Sequence, residues 1–200
     1  MDQRLIPLQD EPSMKQVTRY HPLLVALHWL LAFLIIAALL AGFFLLARMP
    51  NSDPQKIRVL LVHMVIGMTI LALMVVRFIV RMLTSRPAPA TTGHPFLDRI
   101  APVTHYGFYV LVLMMVGTGY ATAILADLNR IVFQGSGEPL PEDFDIYPSF
   151  VAHSFFAAIL AGFIILHVLA ALYHQFARRD RLFRRMWFGR RAAKAVAPAE

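Results

Sequence analysis

Three histidines, His153, His167 and His174, stand in the stretch Ile146–Ala177, which holds no charged side chain. The first two are 14 residues apart. On an α-helix, 14 steps of about 100° return to within roughly 40° of the starting direction and climb about 21 Å. One helix of this sequence therefore offers two imidazoles on one face, one near each side of a bilayer. His174 follows seven residues later on that face. Neutral imidazole is a hydrogen-bond donor, a proton acceptor and a metal ligand. Placed among apolar residues it is costly and calls for a partner, a cavity or a bound group.

The same step recurs along the chain. From His28 it reaches Gly42, from His63 Arg77, from His105 Gly119, and from His153 His167. Each segment thus offers two positions on one face, filled by histidine, glycine or arginine instead of a bulky aliphatic residue.

Four uncharged stretches carry these positions: Leu23–Ala47, Val59–Val76, Ile100–Ala126 and Ile146–Ala177. A hydrocarbon core takes about 20 helical residues to cross. The chain is 58% hydrophobic and 16% charged, against about a quarter charged in soluble domains. The reading is all-α: an integral membrane four-helix bundle over residues 21–177, between an amino-terminal tail (1–20) and a basic tail (178–200). Helix 1 is expected from His21-Pro22, helix 2 from about Lys56–Val59, helix 3 from about Ile100, and helix 4 to about Ala177. The first apolar stretch is too long for a signal-peptide core and has no small-residue cleavage site.

Cysteine is absent, which excludes disulfides, iron–sulfur clusters, zinc-thiolate sites and covalent c-type haem. The net charge of +7 gathers at membrane edges instead of in a groove-binding patch, so no nucleic-acid partner is expected. The amino-terminal tail, the second loop (Arg81, Arg86, Arg99) and the carboxy-terminal tail are basic. The third loop holds Asp127, Glu138, Glu142, Asp143 and Asp145 against Arg130. Positive charge stays inside, so both termini are expected in the cytoplasm. The stretch Arg178–Arg191 suits either an anionic membrane surface or a solvated tail.

Alternating helix direction then sorts the histidines by depth. His63 and His153 share an outer layer; His28, His105 and His167 share an inner one. Two imidazoles at one depth on different helices suit bis-imidazole ligation of a haem iron. Zinc would need further nitrogen, sulfur or carboxylate ligands in each layer. Gly42 and Gly119, and also Gly67, Ala161-Gly162 and Ala170-Ala171, would let a flat macrocycle approach the backbone or serve helix packing. Arg77 falls at the inner level, as a propionate partner or a terminal arginine reaching the interface. His105 is a second-shell or propionate contact, an alternative axial ligand, or packing. His174 lies about 10 Å beyond His167, where it could hydrogen-bond a quinone carbonyl. His21 and His94 carry no assigned role.

Several motifs carry a resemblance: Leu27-His28-Trp29-Leu30, Val62-His63-Met64-Val65-Ile66-Gly67, Leu73-Met74-Val75-Val76-Arg77, and the spacing of His153, His167 and His174. In this order the chain resembles the bacterial cytochrome b561 family of small four-helix di-haem membrane proteins, over roughly Tyr20–Gln175. The resemblance implies two haem b groups, with axial pairs His28/His167 (inner) and His63/His153 (outer). It also implies transmembrane electron transfer to the quinone pool, by ubiquinone or menaquinone near His174, and superoxide as one electron source. The acidic third loop would repel that anion; it reads as a solvated loop or as a dock for a basic periplasmic redox partner. Two other functions compete with superoxide:quinone oxidoreductase. One is a non-catalytic haem-bearing anchor for a separate dehydrogenase or hydrogenase; the other is a haem-free proton or solute carrier.

Overall fold

The computed structural model describes residues 16–88, 95–180, 182–189 and 193–194. Its four long helices are α1 (Pro22–Leu40), α2 (Pro54–Leu83), α3 (Pro95–Leu125) and α4 (Pro148–Leu172). Helices α1 and α4 continue as π-helical turns, Ala41–Leu46 and Tyr173–Arg178. Every long helix begins on a proline, whose fixed φ and missing N–H suit a first helical position. Caps complete two of these starts. His21 Nδ1 accepts from Leu23 N at 3.3 Å, and Asp53 Oδ1 accepts from Gln55 N at 2.8 Å. His21, without a role in the sequence reading, is thus a helix cap.

Four helices are long and apolar enough to span a membrane: Pro22–Leu46, Pro54–Leu83, Val103–Leu125 and Pro148–Arg178. Their outward faces carry bare apolar side chains such as Phe33, Met82 and Leu166, the surface that lipid would cover. Helix α2 starts earlier than expected because its first turn holds Lys56 and Arg58, which an uncharged-stretch criterion leaves out. Helix α3 likewise starts at Pro95, ahead of Ile100. Residues 1–15, most of the expected amino-terminal tail, and 89–94, with His94, lie outside the described residues, as do Arg181, Arg190 and Arg191.

The first and last described segments meet at one end of the bundle. Gln16–Val17 pairs antiparallel with Ala193–Lys194 as a two-residue ladder. A 3-10 turn, Leu182–Met186, follows α4 and folds over the start of α1. Trp29 Nε1 donates to Met186 O at 2.9 Å, and Arg19 donates to Trp187 O and Phe188 O at 3.2 and 3.0 Å. We call this the terminal end, and the opposite one the loop end.

At mid-depth the helices close on an apolar plug of Leu31, Ile70, Met74, Val112 and Leu160, flanked by Ile35. Ile35, Ile70, Val112 and Leu160 are the seven-residue midpoints of the four 14-residue steps. Aliphatic residues therefore fill each face between its two special positions.

The third loop is not simply solvated. After Asp127, in the left-handed region at φ 50°, it packs Leu128, Ile131, Val132 and Leu140 with Ala123 and Ala126 against Ile57, Leu60, Leu61 and Met64 of α2. Its acids stay on the outside, where Arg130 bonds Asp127 (2.8 Å) and Glu138. Ile131 and Val132 lie on a short helical turn, Asn129–Phe133, with Leu128 just before it, a stretch too brief for its spacing to announce their burial.

Candidate functional site

Two clusters of imidazoles lie at opposite ends of the bundle. At the loop end, His63 of α2 and His153 of α4 face each other with ring centres 6.2 Å apart. His153 Nδ1 lies 2.9 Å from Met115 O and 3.4 Å from Thr118 Oγ1, both on α3. Nδ1–H donated to that carbonyl leaves Nε2 with its lone pair, the state a ligand needs. His63 Nδ1 is buried and has no hydrogen-bond partner among the described residues. Such a buried polar atom is costly unless something else engages it.

Gly42 and Gly119 stand beside these rings. A Cβ on Gly119 would come within 3.1 Å of His153 Cε1, and one on Gly42 within 3.8 Å of His63 Cε1. Gly119 therefore leaves room that the ring needs, whereas an added methyl group at Gly42 makes ordinary contact. A Cβ on Gly67 or Gly162 meets nothing within 4 Å, and Ala170 is turned outward. The two histidines line a cavity of about 410 Å³ that also reaches Gly42, Gly67, Gly119 and Lys56.

At the terminal end, His167 of α4 lies between two others. Its ring centre is 6.3 Å from His28 and 6.0 Å from His105. His28 is half-buried, whereas His105 is exposed. Phe108 packs edge-on to His167 at 5.4 Å, and Trp29 lies 5.3 Å from His28. Arg77 is close enough to interact electrostatically with both His28 and His167, and it donates to Tyr109 OH at 3.3 Å. The 14-residue step from His63 thus ends beside the other imidazole cluster, inside the bundle.

His174 lies apart from both clusters, in the π-helical end of α4. Its Nδ1 bonds Asp180 Oδ2 at 2.5 Å. The turn is made by Arg179, left-handed at φ 55°, with Asp180 N closing on His174 O at 3.4 Å. Burial alone would push the Asp180 carboxyl up. The hydrogen bond with His174, the Leu182 N–H and the His174 and Arg178 charges outweigh burial and hold it below the usual carboxylate range.

Sequence relationships identify the family of this chain. Residues 19–189 match the family described as prokaryotic cytochrome b561. The chain belongs to that family. Among curated proteins it is similar to the probable superoxide oxidase CybB of Yersinia pestis, with 29% identity over 175 residues, covering 84% of this chain and 95% of the relative. Membership implies b-type haem and transmembrane electron transfer in a multi-pass bacterial membrane protein.

The imidazole geometry of this cytochrome b561 suits that group. His63 and His153, 6.2 Å apart, would hold one such group, and His167 with His28 or His105, at 6.3 and 6.0 Å, would hold another. The unpartnered His63 Nδ1 and the cavity that both rings line fit a bound group at the loop end. Sequence reasoning missed three residues here: Met115, which orients His153; Asp180, which pairs with His174; and Lys56. A carbonyl partner has no sequence signal. Asp180 stands among many arginines, and Lys56 reads only as the start of helix 2.

Proposed function

We propose that this cytochrome b561 carries electrons across the bacterial inner membrane through two b-type haems, between a periplasmic redox partner or superoxide and the membrane quinone pool. The observation that carries this reading is the pair of matched imidazole contacts at opposite ends of one bundle, His63/His153 and His28/His167. When bound, haem supplies reversible one-electron iron chemistry.

The chain's residues do the remaining work. His63 and His153 would hold the haem at the loop end, with the Met115 carbonyl fixing the tautomer of His153. His28 and His167 would hold the other, and the greater burial of His28 favours it over His105 as the partner of His167. His105, 6.0 Å from His167, would then line that haem. Arg77, which can form bidentate bonds to a carboxylate, would hold a propionate there. Gly42 and Gly119 would admit the macrocycle at the loop end. The apolar plug around Ile70, Val112 and Leu160 keeps water out between the two sites. His174 would bond a quinone carbonyl at the terminal end and pass protons, whether the quinone is ubiquinone or menaquinone.

The positive-inside bias puts both termini and the quinone side in the cytoplasm, and the loop end in the periplasm. Exposed Glu142, Asp143 and Asp145 beside the His63/His153 layer favour a basic redox protein over superoxide as the external partner, since like charge slows the approach of an anion. Domain limits follow: 21–177 as the haem domain, with tails 1–20 and 178–200.

Redox-monitored absorption spectroscopy of the purified protein is the decisive test. Two reducible b-type haems per chain are expected, the terminal-end one in rapid exchange with a short-chain quinol. A single haem per chain, or none, would sink the two-haem reading. Stopped-flow mixing with superoxide at low and high salt then tests the external partner. Fast reduction that slows as salt rises would reveal an attractive potential and overturn the preference for a basic protein.

A further inference from the structure

Lys56 occupies the first turn of α2 and is only 8% exposed. It is the one Lys, Arg, Asp or Glu side chain lining the 410 Å³ cavity among the described residues. An ammonium has three N–H donors. Two are spent on neutral acceptors, Met49 O at 2.7 Å and Asn51 Oδ1 at 2.6 Å. No carboxylate among the described residues pairs with it. The nearby acids are otherwise disposed: Asp127 and Glu138 hold Arg130, and Glu142, Asp143 and Asp145 are exposed. A shielded cation without a counter-ion is costly, so the charge and the third donor call for an anion.

The cavity supplies the direction. Lys56 precedes His63 by seven residues, which places it within about 20° of the same helix face and about 10 Å nearer the loop end. It stands above the His63/His153 pair on the wall that holds the unpartnered His63 Nδ1. Asn51 braces it: its Nδ2 donates to Pro141 O and Glu142 O at 2.8 and 3.0 Å, so the ammonium is clamped between the first and third loops.

We propose that Lys56 is the ion-pair partner of an anionic oxygen group on the molecule held between His63 and His153, namely a haem propionate carboxylate. This rests on the haem reading above. A propionate and a small oxyanion arriving from outside share the chemistry that Lys56 would bind, and the experiment separates them.

The test is a potentiometric titration of the detergent-purified holoprotein and three variants: Lys56→Met, Lys56→Arg and Asn51→Ala. The loop-end haem is identified as the one missing from His153→Ala. Removing a positive charge beside a haem disfavours its reduced form, so Lys56→Met should lower that midpoint and leave the other in place. Lys56→Arg should restore most of the shift. Asn51→Ala, which cuts the loop brace but keeps the charge, should leave the midpoint near that of the unmodified protein. If Lys56→Met instead loses the loop-end haem, retention in both Lys56→Arg and Asn51→Ala supports the ion pair. Equal loss in Asn51→Ala shows a brace only and overturns it. Two unchanged midpoints in Lys56→Met also overturn it, including the case in which that variant merely slows reduction by superoxide, which would assign the site to an external oxyanion. Absence of a Soret band in the unmodified protein would be a failure of the haem reading, separate from all of these outcomes.

Discussion

The two ends of this bundle solve the same problem with different materials. At the loop end, two imidazoles meet across a cavity whose walls are thinned by Gly42, Gly67 and Gly119, with one shielded cation above. At the terminal end, three imidazoles crowd together with Phe108, Trp29, Tyr109 and Arg77 around them. The first is a site defined by space left open, the second by side chains filling it. The loop-end ring His153 is aimed by a backbone carbonyl of a neighbouring helix. The terminal-end ring His167 is aimed by aromatic edges. A carbonyl bond fixes one rotamer and tautomer, whereas edge-to-face packing restrains orientation more softly. The loop-end site should therefore tolerate less change near its histidines.

The largest effects come from removing ligands. His153→Ala and His28→Ala are each expected to halve the haem content, to about one group per chain, and to remove different halves. Haem-to-protein ratios and the midpoint that survives in each variant check this. If one substitution empties both sites, or neither site, the two ends are not independent and the pairing across the bundle is wrong.

The next effect sharpens the choice at the crowded end. His105 and His28 are nearly equidistant from His167, but His105 is exposed and His28 is half-buried. His105→Ala should keep both haems and shift only the terminal-end spectrum or midpoint, while His167→Ala should lose that haem. Low-temperature electron paramagnetic resonance of the oxidised variants reads this directly. Loss of a haem in His105→Ala with retention in His28→Ala would exchange their roles.

Much of this division was legible in the sequence, and the reason is energetic. Histidine, arginine and glycine are conspicuous in an apolar span because each is unfavourable there without a use. Their 14-residue recurrence follows from helix geometry alone, and the midpoints Ile35, Ile70, Val112 and Leu160 complete the pattern. The start of α1 was legible in His21-Pro22, and that of α2 less so, because a charged first turn follows its Asp53-Pro54 cap. Contacts between segments far apart in sequence were not legible. The third loop buries Ile131 and Val132 on one short helical turn, Asn129–Phe133, and Leu140 beyond it, a stretch too brief for a period to stand out. Lys56 and Asp180 gain their surroundings from loops whose folding depends on everything else. The inner layer was legible only as a set of three histidines, because depth does not say which way each ring turns.

A smaller effect distinguishes the glycines. Gly119→Ala drives a Cβ to 3.1 Å from a ring already tied to Met115 O. Overpacking of this kind costs roughly 1–3 kcal/mol, and it should also lower loop-end haem retention. Gly42→Ala, with its nearest contact at 3.8 Å, should cost less than about 1 kcal/mol. Thermal unfolding of the two holoprotein variants in the same detergent gives the order. Gly42→Ala proving the more damaging would mean that the bound macrocycle comes closer to Gly42 than the His153 ring comes to Gly119.

The smallest expected effect concerns the turn that follows α4. The Asp180 carboxyl is held below its usual range in the folded chain, against its own burial, by His174, the Leu182 N–H and Arg178. A carboxyl so depressed adds stability above its unfolded value of about 3.9, and that contribution fades as pH falls through the lower folded value. With both partners partly exposed, 20% for His174 and 28% for Asp180, the contribution is under about 1 kcal/mol. The chain's two tryptophans, Trp29 and Trp187, pack 5.8 Å apart at this end, so their fluorescence reports on the terminal end and not on the loop end. Acidification from pH 6 to below pH 4 should loosen the cap in the unmodified protein. Asp180→Asn should start looser and lose that acid dependence, while the loop-end haem spectrum stays unchanged in both. An equal response at the two ends would mean that the mid-depth plug transmits strain, and that the ends behave as one cooperative unit instead of two separately built sites.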